Sequence, residues 1–130
     1  MKLSTVVVGL GQVGMGYDLS LDPASNIYTH ARACAFHSGF HLVAGVDPEH
    51  EKRRSFEQEY GVESYIDVES ALFKYEADVV IISNPTSLHC DTLRCVLTHS
   101  RPRAILCEKP LSDSLEGVSQ FFEVLFFFNY

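Results

Sequence analysis

The chain of 130 residues has the usual size of one domain and is too short for two full-sized ones. Its 46% hydrophobic and 21% charged residues form a globular balance that excludes a disordered chain. The formal net charge of −7, from 17 acidic and 10 basic residues, argues against a nucleic-acid partner, because an acidic surface repels phosphate backbones. No apolar run reaches membrane-spanning length, so we expect no membrane partner.

The N-terminus and the cysteines indicate the compartment. The apolar run Leu3–Leu10 is similar to a signal-peptide core, but the four glycines from Gly9 to Gly16 and the lack of a small-residue cleavage site contradict that interpretation. The four cysteines form no C-x-x-C pair and fall inside predicted helices or strands. This pattern is typical of reduced, buried thiols, so we predict a cytoplasmic protein.

Strand and helix patterns alternate along the chain. Apolar, often β-branched runs predict strands at Thr5–Val8, Leu42–Val46, Ser64–Ile66 (weaker), Asp78–Ile82 and Ala104–Cys107. Helical spacing or start and stop residues predict helices at His30–His37, at Glu49–Tyr60 between Asp47-Pro48 and Gly61, after the N-cap Asp67, around Leu93–Leu97 after Pro85, and from Ser112. Apolar strands joined by helices predict an α/β fold of the Rossmann type, with a doubly wound, mainly parallel sheet and helices on both faces.

Two segments do not fit this alternation. Residues Tyr17–Tyr28 are polar and rich in turn residues, and we interpret them as an insert before the helix at His30. At the other end, the helix from Ser112 runs into Leu125–Phe128 with no Gly, Pro or polar turn between them. A turn is missing there, which indicates a deletion, a truncation or a missing loop before Leu125.

A glycine-rich turn follows the first predicted strand. Gly9-Leu10-Gly11-Gln12-Val13-Gly14 has the G-x-G-x-x-G spacing that allows a tight turn, a close approach of pyrophosphate and close helix–strand packing. We predict that Gly9, Gly11 and Gly14 shape a dinucleotide phosphate loop. Gln12 and Val13 would offer backbone N–H groups to phosphate. A purely structural turn is the alternative.

Asp47 ends the second predicted strand, where an acid accepts hydrogen bonds from the adenosine ribose hydroxyls. It lies about 33 residues after Gly14 instead of the roughly 20 of the usual fingerprint, and the insert accounts for the excess. Followed by Pro48, the same residue also fits a helix N-cap, and one carboxylate can fill both roles. An acid here favours NAD because it repels a 2′-phosphate, whereas the nearby cations Lys52, Arg53 and Arg54 keep NADP open.

Two further loops follow strands. Ser83-Asn84-Pro85 with His89 comes after Asp78–Ile82, and Glu108-Lys109-Pro110 comes after Ala104–Cys107. Both lie at carboxyl ends of parallel strands, where ligands bind in open α/β sheets. Together with the glycine loop and Val43–Asp47, they resemble the family of glucose–fructose oxidoreductase, inositol dehydrogenase and MocA (Gfo/Idh/MocA) over nearly the whole chain.

The resemblance implies an NAD(P)-dependent dehydrogenase that moves hydride between the cofactor and a sugar, cyclitol or sugar-nucleotide alcohol. Lys109 would be the catalytic residue beside nicotinamide and substrate, where a lysine can hydrogen-bond the hydroxyl as hydride leaves; a plain surface lysine is the alternative. Glu108 would face the nicotinamide ribose or else pair with Lys109, and Pro110 would fix the loop, in this family often through a cis bond. The cofactor groove would also be lined by Ser83, Asn84, Pro85 and His89.

The family completes its substrate pocket with a second α/β domain that usually adds an acid–base pair. We therefore predict that residues 1–130 are a Rossmann cofactor domain, that the substrate domain is absent from this chain, and that the fragment alone is inactive. The full-length protein would be a homo-oligomer through that domain, and Phe128-Asn129-Tyr130 resembles the strand leading into it. The alternatives are a non-catalytic NAD(H)-sensing module, an NAD-dependent glycosidase of the same superfamily, and a methyltransferase, in whose chemistry Glu108-Lys109-Pro110 has no role.

Metal ligation is not predicted. The remaining histidines show no ligand-like spacing. His89, Cys90, Cys95 and His99 would project around one helix rather than converge on a zinc ion.

Overall fold

The computed structural model describes residues 1–130, and strands and helices alternate along them. The strands are β1 Leu3–Val8, β2 Phe40–Val46, β3 Ser64–Tyr65, β4 Val79–Ile82 and β5 Ala104–Cys107. The helices are α1 His30–Phe36, α2 His50–Tyr60, α3 Val68–Lys74, α4 His89–His99 and α5 Leu115–Phe127. Each of the five strands and five helices of the predicted alternation is present, with ends shifted by a few residues.

The five strands form one parallel sheet in the order β3-β2-β1-β4-β5. This is the strand order of a Rossmann domain, so the predicted fold class is confirmed. All strands point the same way, which places the loops after β1, β2, β4 and β5 at one edge of the sheet. The strand order reverses between β1 and β4, and a ligand crevice is expected outside their carboxyl ends.

Helices cover both faces of the sheet. Helices α3, α4 and α5 pack over a core of 15 buried residues, and α1 and α2 pack over a second core of 9. Val6 and Val8 belong to the larger core and Val7 to the smaller one, because successive side chains of a strand point to opposite faces. The register of the β1–β2 pairing shifts between Thr5 and Val6. As a result, Leu42 of β2 faces the smaller core, whereas Ala44 faces the larger one.

The edge strand β5 is less buried than its apolar sequence predicted. Ile105 and Cys107 pack against the larger core, whereas Ala104 and Leu106 are exposed. Ala104 and Leu106 lie beside Val79 and Ile81 on the smaller-core face, where α1 and α2 pack over β1 and β2 at a distance from this edge.

Helix boundaries confirm some predicted caps and correct others. The side chain of Asp67 accepts a 2.8 Å hydrogen bond from the Ser70 N–H, and Gly61 ends α2 with φ of +62°. Helix α2, however, begins at His50 with Glu49 as N-cap, one residue later than predicted, so the alternative of Asp47 as N-cap with Pro48 at the first helical position is wrong.

The C-terminal segment is one continuous helix. Helix α5 begins at Leu115, after the N-cap Ser114, and not at Ser112. No turn interrupts it, and its carbonyl groups at Leu125 and Phe126 accept hydrogen bonds from the last two residues of the chain. Asn129 adopts φ of +53°, a left-handed helix end, so the expected strand at residues 128–130 is wrong for this chain.

The insert between the glycine loop and α1 is confirmed. The N–H groups of His30 and Ala31 donate to the carbonyl oxygens of Val13 and Gly14 at 3.2 and 2.9 Å. Helix α1 therefore stacks on the turn of the glycine loop as a continuation of it, and the residues between them loop out.

A buried ion pair anchors the insert. Asp18 and Arg32 are both fully buried, with 3.7 Å between carboxylate and Nε. Asp18 accepts N–H bonds from Tyr28 and Thr29, and Arg32 donates to the insert's carbonyl groups and to Glu59 of α2. The insert is consequently held to the domain at both of its ends.

All four cysteines are free thiols, as predicted, although only Cys34 is buried and the others are half-buried. Burial raises the pKa of the Cys34 and Cys107 thiols to about 11, because a thiolate is poorly solvated there. None of the helices combines the length and apolar composition that crossing a bilayer requires.

Candidate functional site

The three glycines of the loop differ in what an added side chain would contact. Gly9 has φ of +92°, and a Cβ there would lie 2.4 Å from the Asn84 nitrogen. A Cβ on Gly14 would lie 1.9 Å from the Gly9 carbonyl oxygen. A Cβ on Gly11 would meet no atom within 4 Å. The fold therefore requires Gly9 and Gly14, whereas the open space at Gly11 is room that a bound group could fill.

The same loop presents unused hydrogen-bond donors. The N–H groups of Gly9 and Leu10 are taken by the Val46 carbonyl and the Asp47 carboxylate, at 2.8 and 2.9 Å. The next four N–H groups, those of residues 11–14, donate to no protein acceptor. Consecutive free N–H groups beside open space suit a pyrophosphate, so this loop fits a dinucleotide.

A groove of about 380 Å³ runs between the loops after β2 and β4. Its lining includes Asp47, Lys52, Asn84 and Pro85. A second depression of about 360 Å³ lies against the glycine loop, and Lys52 borders both. The two spaces together extend from the end of β2 to the glycine loop.

Asp47 lies in this groove with 6% exposure and uses both carboxylate oxygens. Oδ2 accepts from the Leu10 N–H and Oδ1 from the Glu49 N–H, each at 2.9 Å. The expected local capping role is thus an Asx turn before α2 rather than the N-cap itself. Each oxygen keeps a second lone pair that can accept from a ribose hydroxyl.

Two of the three nearby cations, Lys52 and Arg53, already have partners. Lys52 forms a 3.0 Å ion pair with Glu49, which raises the pKa of Lys52. Arg53 donates to the carbonyl oxygens of Asp47 and Pro48, at 2.8 Å each. Arg54 is exposed. None of the three cations therefore lies unpaired inside the groove.

The predicted binding residues of the loop after β4 have two different roles. The single hydroxyl proton of Ser83 is shared between the carbonyl oxygens of Val8 and Gly9, which lie 3.0 and 2.9 Å from Oγ, so Ser83 holds the glycine loop. Asn84 lines the groove, with its Nδ2 donating to Thr92 and its Oδ1 buried without a partner. Pro85 also lines the groove.

His89 is 1% exposed and lies beneath the groove rather than in it. Its Nε2 is 2.9 Å from the Asn84 carbonyl oxygen. Its Nδ1 is 3.1 Å from the carbonyl oxygen of Pro110 and 3.3 Å from that of Leu111. His89 therefore joins the loop after β4 to the loop after β5. No three His, Cys, Asp or Glu side chains converge as metal ligands.

The Glu108-Lys109-Pro110 loop follows β5 and lies next to His89 and the loop after β4. The Lys109–Pro110 peptide bond is cis. The Lys109 side chain is exposed, and its ammonium forms no ion pair or hydrogen bond. The alternative that Glu108 pairs with Lys109 is wrong, because Glu108 Oε1 lies 2.7 Å from Nε2 of His30.

His30 is the site residue that the sequence reasoning missed. Its hydrogen bond is the main reason why the pKa of Glu108 lies below its usual value. The available signal was its place as first residue of the helix after the insert, where it meets the turn of the glycine loop. Nothing in the sequence told which distant carboxylate would meet it.

The matches to known proteins agree with this geometry. A protein-family model described as the oxidoreductase family Gfo/Idh/MocA, NAD-binding Rossmann fold, matches residues 3–125. The chain is similar to a protein of Bordetella bronchiseptica RB50 (25% identity, TM-score 0.79, 99% of this chain and 30% of that chain). It is also similar to myo-inositol 2-dehydrogenase of Lactobacillus plantarum (22% identity, TM-score 0.73, 96% and 33%).

A third similar structure is the WlbA dehydrogenase of Bordetella pertussis in complex with NADH and UDP-GlcNAcA (19% identity, TM-score 0.77, 98% and 33%). No curated protein sequence matches the chain. The chain spans about a third of the length of these solved structures. It belongs to the Gfo/Idh/MocA oxidoreductase family, of which it forms the NAD-binding Rossmann domain.

Proposed function

We propose that this domain serves a dehydrogenase that transfers hydride between NAD and a secondary alcohol of a sugar, cyclitol or sugar nucleotide. The observation that carries the proposal is the unpaired Lys109 ammonium at the same sheet edge as the four free N–H groups of the glycine loop. The bound cofactor would supply or accept the hydride at its nicotinamide ring. The chain's own residues would bind it, orient it and contact the reacting hydroxyl.

Each site residue has a proposed part. The N–H groups of Gln12 and Val13 would donate to the pyrophosphate, and Asp47 would accept from the ribose hydroxyls. Asn84 and Pro85 would form the groove wall, while Ser83 and His89 act from behind it through backbone contacts. Lys109 would donate to the substrate oxygen and stabilise negative charge on it as hydride leaves the adjacent carbon.

The substrate class is inferred from the activities and bound ligands of the similar structures. They include myo-inositol 2-dehydrogenase, scyllo-inositol dehydrogenase and a dehydrogenase holding UDP-GlcNAcA. Another is an oxidoreductase in complex with NAD+ and L-tartaric acid. All of these compounds carry hydroxyl groups on neighbouring carbons, which is the chemistry that we propose for the substrate.

A preference for NAD over NADP is proposed from charge. A 2′-phosphate would lie beside the Asp47 carboxylate, which borders the groove. Lys52 already pairs with Glu49, so its charge is partly neutralised. Repulsion therefore outweighs the attraction that the cations offer.

The complete enzyme would need more than this domain. We propose that a substrate domain adds the acid–base pair and that the enzyme is a homo-oligomer formed through that domain. The four free thiols favour the reducing cytoplasm, and the net charge of −7 disfavours nucleic acid.

Calorimetric titration of the 130-residue chain with NAD and NADP tests the binding role. We expect NAD to bind and NADP to bind at least about tenfold more weakly, a difference of roughly 1.4 kcal/mol. A folded chain that binds neither would contradict the proposal, and equal affinity would contradict the NAD preference. Turnover of a panel of polyols by this chain alone would contradict the need for a second domain.

A further inference from the structure

We infer that His30 is a positioning residue that ties the glycine loop to the Glu108-Lys109 loop and so determines where Lys109 stands. The inference rests on the proposed function, because it gives His30 a part in that same site. The contacts Val13–His30–Glu108–Lys109 are called the His30 bridge below.

The bridge is a chain of three hydrogen bonds. The backbone N–H of His30 donates to the Val13 carbonyl oxygen at 3.2 Å. Its ring Nε2 lies 2.7 Å from Glu108 Oε1. The other carboxylate oxygen, Oε2, accepts from the backbone N–H of Lys109 at 3.2 Å. His30 thus contacts the glycine loop with its backbone and the Glu108-Lys109 loop with its side chain.

The anchor of the bridge is rigid. His30 is the first residue of α1 and follows Thr29, whose hydroxyl and N–H both bond to the buried Asp18. The next residue, Ala31, is fully buried. The position of the His30 ring is therefore set by packed structure on both sides of it in the chain.

The hydrogen bond between His30 and Glu108 is strong because its acceptor is a carboxylate. The side chains of His30 and Glu108 are 20% and 26% exposed, so water competes only partly for their hydrogen bond. The pKa of Glu108 lies below its usual value, first because of His30 and further because of the Lys109 N–H and the positive charge of Lys109. Glu108 is consequently a carboxylate at neutral pH, and a hydrogen bond to a carboxylate is shorter and stronger than a neutral one.

Lys109 depends on this bridge because its ammonium has no partner of its own. Its place is set through its backbone, which is held on one side by the Glu108 carboxylate. On the other side, His89 contacts the carbonyl oxygen of Pro110 at 3.1 Å. The Cys107 thiol beside Glu108 has its pKa raised by burial and by that carboxylate, so it stays neutral and adds no competing charge.

The test uses NMR on the 130-residue chain, with Glu side-chain carboxyls labelled and amide exchange measured at Lys109. In His30→Phe we expect the pKa of Glu108 to rise toward its ordinary 4.5 and the Lys109 amide to exchange at least about fivefold faster. His30→Gln keeps an N–H donor and should retain most of both properties. His41→Phe, at an exposed histidine of β2, is the matched control and should change neither.

Unchanged Glu108 titration and unchanged Lys109 exchange in His30→Phe would overturn the inference. Should His30→Phe not fold, Glu108→Gln tests the same link from its other end. It must then shift the His30 ring resonances and speed the Lys109 exchange, and no change in either would equally overturn the bridge. None of these readouts needs NAD, so a chain with an intact bridge that binds no NAD contradicts the proposed function alone.

Discussion

The backbone N–H of Leu10 donates a 2.9 Å hydrogen bond to Oδ2 of Asp47, which joins the glycine loop to the end of β2. The second oxygen of the same carboxylate accepts from the Glu49 N–H, also at 2.9 Å. Because Asp47 is buried but borders the groove, it holds the loop in shape and also faces the space where a ribose would lie. Loop shape and the proposed preference for NAD would therefore be coupled through one side chain.

Asp47→Asn should weaken both functions. An asparagine amide has one acceptor oxygen, and its NH₂ group is a donor. In the variant, the backbone N–H of either Leu10 or Glu49 would therefore lose its acceptor and face a second donor. We expect the free energy of unfolding to fall by about 1–3 kcal/mol. The discrimination of NAD against NADP should also narrow. Urea unfolding and calorimetric titration measure the two effects, with Asp113→Asn, at an exposed acid, as the control. A fully stable variant would show that the Leu10 contact is unimportant.

Gly11→Ala should separate binding from folding. The added methyl group meets no protein atom within 4 Å, so the melting temperature should stay unchanged. It would occupy the space proposed for pyrophosphate, and NAD affinity should fall by about tenfold or more. Gly14→Ala is the contrasting variant, since its Cβ would lie 1.9 Å from the Gly9 oxygen and should destabilise the fold. Undiminished affinity in Gly11→Ala would contradict the placement of the pyrophosphate.

Lys109→Ala should affect chemistry far more than cofactor binding. In the complete enzyme we expect the rate to fall by about 10²–10⁴-fold, the usual contribution of a positioned acid–base group. NAD affinity of the isolated domain should stay within about twofold, a change of less than half a kcal/mol. Lys74→Ala, in the exposed Lys74–Glu63 ion pair, is the control for a surface lysine. If the Lys109→Ala enzyme kept the rate of the unaltered enzyme, the catalytic role proposed for Lys109 would be wrong.

Arg32→Met should loosen the insert. Removing the guanidinium leaves Asp18 as an uncompensated buried charge and frees the carbonyl groups of Leu21 and Asn26. Breaking a buried pair in this way costs about 3–5 kcal/mol. Denaturant unfolding measures the loss, and amide exchange should rise first in residues 19–28. Arg54→Met, at an exposed arginine of α2, should be neutral.

Asp67 should contribute a pH-dependent part of the stability. Its N-cap bond to Ser70 holds its pKa below the ordinary 3.8, so its ionised form stabilises the fold above that pH. The contribution is lost as the pH falls through the lower folded-state value. Asp67→Asn keeps a capping oxygen but does not titrate. The difference in unfolding free energy between the two proteins should be constant above about pH 5 and shrink below 3.8. A difference that stays constant down to pH 2.5 would contradict the cap assignment.

The sequence was sufficient wherever the cause of a structure is local. Runs such as Val6–Val8 predicted buried parallel strands, and Gly61 predicted the end of α2, because apolar patterning and backbone conformation are properties of neighbouring residues. Local patterns were less reliable at helix starts. Pro48 fits a first helical position by itself, but the Glu49 N–H donates to the Asp47 side chain, and the helix begins two residues later, at His50.

The sequence by itself determined the order of strands and helices, the glycine loop and the motifs at the strand ends. Only the tertiary structure decided which of the motif residues face the groove and which hold it from behind, as Ser83 and His89 do. It also decided that His30 meets Glu108, 78 positions apart in the chain. The physical reason is that a hydrogen bond between distant residues depends on where the sheet places two loop ends, and no periodicity along the chain encodes that distance.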